Sequence, residues 1–176
     1  NARLEWDLAQ QQPTEVPGIP FQAQYFANKT LSGTPVLTRQ DAKIDFAIGD
    51  GSPDPVVPND EFSAQWTKTE FMAAGIYKFS ATADDGVRIY VDNELILDKW
   101  ILQGPTDYTV EKALTEGQHT ITVEYFENFG GATIKASYEK IADLPVEDGF
   151  IAEYFDNKNL TGTPVLTKTE AAINFD

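Results

Sequence analysis

The sequence predicts an all-β fold, an antiparallel two-sheet β-barrel or sandwich. Three observations predict it. Apolar and polar residues alternate over runs of five to seven residues. Glycine, proline, asparagine and aspartate punctuate those runs. No apolar stripe of helical period and useful length appears. Alternation with period two places one face of each run on a core and leaves the other in water.

Taken along the chain, "ARLEW" (2–6) alternates Ala2, Leu4 and Trp6. "GDGSPDPVVPND" (49–60) is rich in glycine and proline and reads as a loop. "FSAQW" sets Phe62, Ala64 and Trp66 on one face, and "YKFSATA" does the same with Tyr77, Phe79, Ala81 and Ala83. "VRIYV" alternates Val87, Ile89 and Val91. "VDNEL" (91–95) reads as a tight hairpin, because Asp and Asn tolerate positive φ. "TEGQ" (115–118) is a further turn, "ITVEY" (121–125) a strand, and "ATIKASY" (132–138) the last strand of the unit. His119, the one histidine, reads as an ordinary strand residue.

The chain also repeats. "FQAQYFANKTLSGTPVLTRQDAKIDF" (21–46) and "FIAEYFDNKNLTGTPVLTKTEAAINF" (150–175) share 16 of 26 positions without a gap, at an offset of 129 residues. Residues 19–140 are therefore expected to form one complete unit. Residues 1–18 are expected to carry the last strand of a preceding unit plus a linker, and residues 141–176 a linker plus the opening of the next. The chain begins at Asn1 rather than Met and reads as a piece of a longer precursor.

Acidic residues number 28 against 13 basic ones, a formal net charge of −15. That balance disfavours nucleic acid, whose phosphates need basic patches, and suits divalent cations. No apolar run reaches the ~18 residues of a membrane-spanning helix. With no cysteine and one histidine, thiolate and multi-histidine metal sites are absent, and a serine or cysteine triad is disfavoured.

The adjacent carboxylates of "TADDGV" (82–87) raise the chemical question. Asp84 and Asp85 read as a turn between two strands, or as a calcium site, since calcium prefers hard carboxylate oxygens. Neighbours on an extended strand point to opposite faces, so joint coordination needs a sharp bend, which a cis peptide provides. A glycosidase carboxylate pair is a third reading, poorly served by adjacent residues. "YFENFGGA" (125–132) is a wide loop in which Glu127 or Asn128 can offer side-chain oxygens and the glycines can turn carbonyls towards an ion. Phe126 or Phe129 can stack on a sugar face. "LDKW" (97–100) adds Asp98 and Trp100, the latter read first as a core or interface residue.

"YFANKTLSGTPVLTR", "GSPDPVVPNDEFSAQWT", "GIYKFSATADDGVRIYVDNELILDKW" and "YFENFGGATIKASY" together resemble the PA-fourteen domain, in order over residues 20–138. The resemblance implies a two-sheet β-barrel or sandwich. In yeast flocculins and some bacterial adhesins of the family, a cis Asp–Asp pair and a nearby loop hold calcium, which binds sugar hydroxyls. Asp84 and Asp85 match that pair, and residues 127–130 match the loop.

The expectation is thus a non-catalytic, calcium-dependent carbohydrate-binding module of a tandem-repeat secreted or cell-surface protein. Asp84, Asp85, Asn128 and Gly130 are expected at the metal, and Asp84, Asp85, Glu127, Asn128, Phe129 and Trp100 at the sugar. The expected partners are a glycan, neighbouring repeats and other copies through the partial repeats, with no nucleic acid and no membrane. Rival readings are a structural spacer or an accessory domain of a secreted glycosidase or protease.

Overall fold

Twelve antiparallel strands appear in a computed structural model that describes residues 18–145, 150–170 and 173. β1 (Phe21–Phe26), β2 (Leu37–Asp41), β4 (Phe62–Met72), β6 (Gly86–Val91), β7 (Glu94–Lys99) and β9 (Gly117–Glu127) form a six-stranded sheet ordered β2-β1-β4-β9-β6-β7. β3 (Ile44–Gly49), β5 (Gly75–Asp84), β8 (Thr106–Leu114) and β10 (Ala132–Ala142) form a four-stranded sheet ordered β3-β10-β5-β8. The two pack as a sandwich and do not close into a barrel.

Alternation sets the faces. In β5 the odd positions Gly75 to Ala83 are buried, and in β9 the buried positions alternate through His119, Ile121, Val123 and Tyr125 and then run on through Phe126 and Glu127. Trp66 anchors one side of the core, edge-on to Tyr25 at 5.6 Å and stacked with Phe46 at 5.9 Å. Phe62, Phe79, Ile89 and Ile134 are almost fully enclosed. Burial of each such side chain contributes about 1.5–3 kcal/mol.

One buried anion serves this core. Asp41 accepts hydrogen bonds from the Tyr25 hydroxyl (2.6 Å) and Trp66 Nε1 (2.8 Å) on one oxygen, and from Arg39 Nε (2.8 Å) on the other. Arg39 also donates to the Pro53 carbonyl at 3.3 Å, tying loop 50–61 to the sheet.

The strands share two poles. At one, β4 begins, β5 ends, β6 begins and β9 ends, with Phe62 opposite Glu127 and Gly86 opposite Phe126. At the other, Met72 pairs with Gly117 and Val91 with Ile121. The chain enters β1 and leaves β10 at this second pole, where Ala142 pairs with Ile76. Asp92 and Asn93 form the expected two-residue turn with φ of 52° and 66°. Beside it His119 is more than a strand residue. Its Nδ1 meets Asp92 Oδ2 at 2.6 Å and its Nε2 meets the Thr115 carbonyl at 2.8 Å.

The second copy of the repeat folds like the first wherever it is described. β11 (Phe150–Tyr154) pairs with β12 (Leu166–Glu170) in the register of β1 with β2. Leu160 repeats the positive φ of Leu31, and the Tyr154 hydroxyl meets Glu170 at 2.6 Å as Tyr25 meets Asp41. Phe150, Ile151 and Val165 are exposed. The strand expected at Ala2–Trp6 lies outside the described residues.

Two outcomes follow from this packing. Asp41→Ala leaves Tyr25, Trp66 and Arg39 without their acceptor, so urea unfolding should show a loss of about 3 kcal/mol or more. The bond to Asp92, then that to the Thr115 carbonyl, raise the His119 pKa. A raised folded-state value means this stabilisation is complete below the unfolded pKa of about 6.5 and is lost as pH rises through the folded one. Melting temperature should fall across that window in wild type, and the His119→Gln protein should lack this component.

Candidate metal centre

The chain passes from the four-stranded sheet to the six-stranded sheet between β5 and β6, at Asp84 and Asp85. The peptide joining them is cis. Gly86 follows because no side chain fits there: an added Cβ would lie 2.1 Å from Phe126 Cε1. β9 ends beside this corner, and the chain crosses back to β10 through residues 128–131.

Asp84, Asp85 and Glu127 come together as a result. One carboxylate oxygen from each lies within 4.8 Å of the others. Among the described residues this is the one group of three or more acidic, His or Cys side chains so placed.

The three carboxylates differ in their surroundings. Asp85 is buried, yet both its oxygens have donors: Gln103 N–H at 3.0 Å on Oδ1 and Asn128 N–H at 2.8 Å on Oδ2. Gln103 also gives its amide Nε2 to the Asp85 carbonyl at 2.9 Å and takes the Tyr108 hydroxyl at 2.5 Å. Asp84 is partly exposed, and burial followed by the charge of Asp85 raises its pKa. Its carbonyl accepts the Tyr125 hydroxyl, which also lies 3.0 Å from Glu127 Oε2.

Glu127 is fully buried, and its Oε1 has no hydrogen-bond partner. Burial, then the charges of Asp85, Asp84 and Asp60, push its carboxyl up to about 7 against the opposing bond from Tyr125. A buried carboxylate oxygen without a donor is costly unless a cation or proton meets it. Three hard carboxylates with one orphaned oxygen fit a hard divalent cation.

The other residues singled out from sequence sit at the rim. Asn128 reaches the cluster through its N–H; its side-chain Oδ1 faces Lys29 Nζ at 2.5 Å, and its carbonyl accepts Glu61 N–H at 3.1 Å. Gly130, at φ +100°, donates its N–H to Asp60 at 3.0 Å. Phe129 is exposed, with Lys29 Nζ 5.8 Å from its ring centre. Trp100 packs between Phe126 (4.7 Å) and the Arg88 guanidinium (3.9 Å), and Asp98 caps the Trp100 N–H at 3.2 Å. Sequence reasoning missed Lys29, Gln103 and Tyr125. Of these only Tyr125 had a signal, its inward place in "ITVEY".

The PA14 domain family matches residues 17–141. The anti-sigma-I factor RsgI3 of Acetivibrio thermocellus is 31% identical over 179 residues, covering 90% of this chain and 28% of that protein. An anti-sigma factor domain-containing protein from Clostridium clariflavum superimposes with a TM-score of 0.64 at 29% identity, over 86% of this chain and 59% of that one. The PA14 domain of the MpAFP antifreeze protein, at 16% identity, TM-score 0.59 and coverage of 68% and 81%, shares the fold. The chain therefore spans under a third of its curated relative and about three fifths of the solved one.

These relatives correct the functional expectation. A calcium-dependent lectin module of a tandem-repeat adhesin, with a glycan ligand and self-association through partial repeats, gives way to relatives named as anti-sigma factors. The physical reason is that the features behind that expectation belong to the fold and its sheet crossing, and one fold hosts many roles. By the family match over most of its length, the chain belongs to the PA14 domain family.

Proposed function

We propose that this chain is a non-catalytic, calcium-binding regulatory domain of an anti-sigma-factor-type protein, positioned on the outer side of the cell. In this reading its parent controls a sigma factor through another region. The similarity to anti-sigma factors across 90% of the chain supports the regulatory role. The observation that carries the calcium assignment is the orphaned, fully buried Glu127 oxygen beside two aspartates.

Calcium suits the site better than magnesium. Calcium takes about six to eight oxygens in flexible geometry, whereas magnesium keeps several waters and uses one or two carboxylates. When bound, the ion supplies positive charge to a cluster whose members otherwise repel. Asp84, Asp85 and Glu127 would hold it. Gln103 and Asn128 orient Asp85 through their N–H groups, and Tyr125 steadies Glu127. Hydrolysis is not the reading, because the three carboxyl groups converge on one point rather than face each other across a substrate.

The site also lies at the pole opposite the one where β1 begins and β10 ends. That layout suits a module held at its base that samples its surroundings from its far end.

Calorimetric titration tests the assignment. Wild type should bind one calcium ion, and Asp84→Asn and Glu127→Gln should each weaken binding at least about tenfold, or 1.4 kcal/mol. Calcium at a hundred times Kd should add about 2.7 kcal/mol to wild-type stability and almost nothing to the variants. No heat and no change in melting temperature up to millimolar calcium would sink the reading. In the full parent, Asp84→Asn should abolish any calcium dependence of a sigma-factor reporter.

Acidity gives a second check. Glu127 holds a proton up to about pH 7 in the metal-free protein, and calcium must displace it. Calcium affinity should therefore rise between about pH 6 and 8, with proton uptake by the buffer on binding. In metal-free protein the sign for stability is opposite. The unfolded chain ionises Glu127 near the ordinary pKa of about 4.3, so stability declines as pH rises from there through 7. Saturating calcium should remove that decline.

A further inference from the structure

We propose that Lys29 is a positioning residue for the cation site, holding the turn after β9 through Asn128 without touching the ion. The inference rests on the calcium reading for its functional sense, and on geometry for its structural sense.

Lys29 stands on the loop between β1 and β2, far from the acidic cluster in sequence. Its base is rigid. Ser63, fully buried on β4, donates to the Asn28 carbonyl at 2.6 Å and accepts Leu31 N–H at 3.1 Å, bracketing Lys29 on both sides. From there the ammonium reaches Asn128 Oδ1 at 2.5 Å and Glu61 at 3.3 Å. The Asn128 carbonyl is held in turn by Glu61 N–H, so side chain and backbone of Asn128 are both fixed. The Asn128 N–H then points at Asp85 Oδ2 at 2.8 Å, and the residue immediately before it is Glu127. Lys29 thus holds the residue that donates to Asp85 and that directly follows Glu127 in the chain.

Charge alone predicts the opposite effect. An ammonium near a cation site repels the incoming ion, so its removal would tighten binding. Partners that orient metal ligands act the other way, and their loss weakens binding by about tenfold or more. The sign of a single substitution separates the two.

The experiment compares Lys29→Met, Asn128→Ala and the double variant with wild type, by calcium titration and by amide hydrogen exchange at Asn128 in the metal-free protein. Lys43→Met, which removes a surface charge paired with Asp45, controls for net charge. The expected result is a calcium affinity about tenfold weaker in each single variant, no further loss in the double variant, and no change in the control. Asn128 exchange should be about tenfold faster in Lys29→Met without any metal. Tighter or unchanged calcium binding in Lys29→Met overturns the proposal. If wild type binds no calcium, the cation reading fails and the exchange arm still decides: faster exchange supports Lys29 as the clamp on Asn128, and unchanged exchange overturns it.

Discussion

The carboxylate of Asp85 is the tie on which one pole of the molecule depends. Four connections change sheets at that pole: residues 50–61, the Asp84–Asp85 corner, residues 100–105 and residues 128–131. A chain leaving a sheet loses its ladder partners, and its N–H groups must find others. Asp85 accepts one such group from each of two neighbouring crossings, Gln103 and Asn128. An anion only 7% exposed survives there because both oxygens are hydrogen-bonded. Through Gln103 the tie extends to Tyr108 on β8, and through Asn128 to Lys29 on the first loop.

Glu127 is the counterpart that this network leaves incomplete. It is as deeply buried as any residue of the core, yet one of its oxygens has no donor. Asp41, in contrast, sits against the same core with a tyrosine, a tryptophan and an arginine on its two oxygens. The two buried acids show the difference between a structural anion and a receptive one. Every partner of the first is covalently part of the fold. The second leaves one oxygen without a partner, and its carboxyl is shifted towards neutrality by burial and like charges.

The same sandwich occurs in an antifreeze protein and in anti-sigma factors, so the scaffold does not select a role. The loops of the Asp84–Asp85 pole carry the acidic cluster, while the opposite pole closes with tight turns and the His119–Asp92 pair. Long strands such as β9 and β10, each 11 residues, run from one pole to the other and hold the loops on a stiff base.

Local chemistry in the sequence determined strands β4, β5, β6, β9 and β10, the Asp92–Asn93 turn, the inward row of Phe79, Ala81 and Ala83, and the repeat, whose second hairpin keeps the register of the first. These depend on side-chain alternation and on backbone preferences of single residues, which a sequence displays directly. It also marked Asp84 and Asp85, because two adjacent acids are visible without a fold. The third carboxylate was visible only as one of several oxygens in a glycine-rich loop, and its joining with the aspartates was decided by the pairing of β6 with β9. Lys29 and Gln103 carried no signal, since a surface-type lysine and a loop glutamine look ordinary until the chain brings them within bonding distance. Which acid is paired, which is orphaned and which amide faces inward are properties of distances between residues tens of positions apart, and only the packing of two sheets sets those distances.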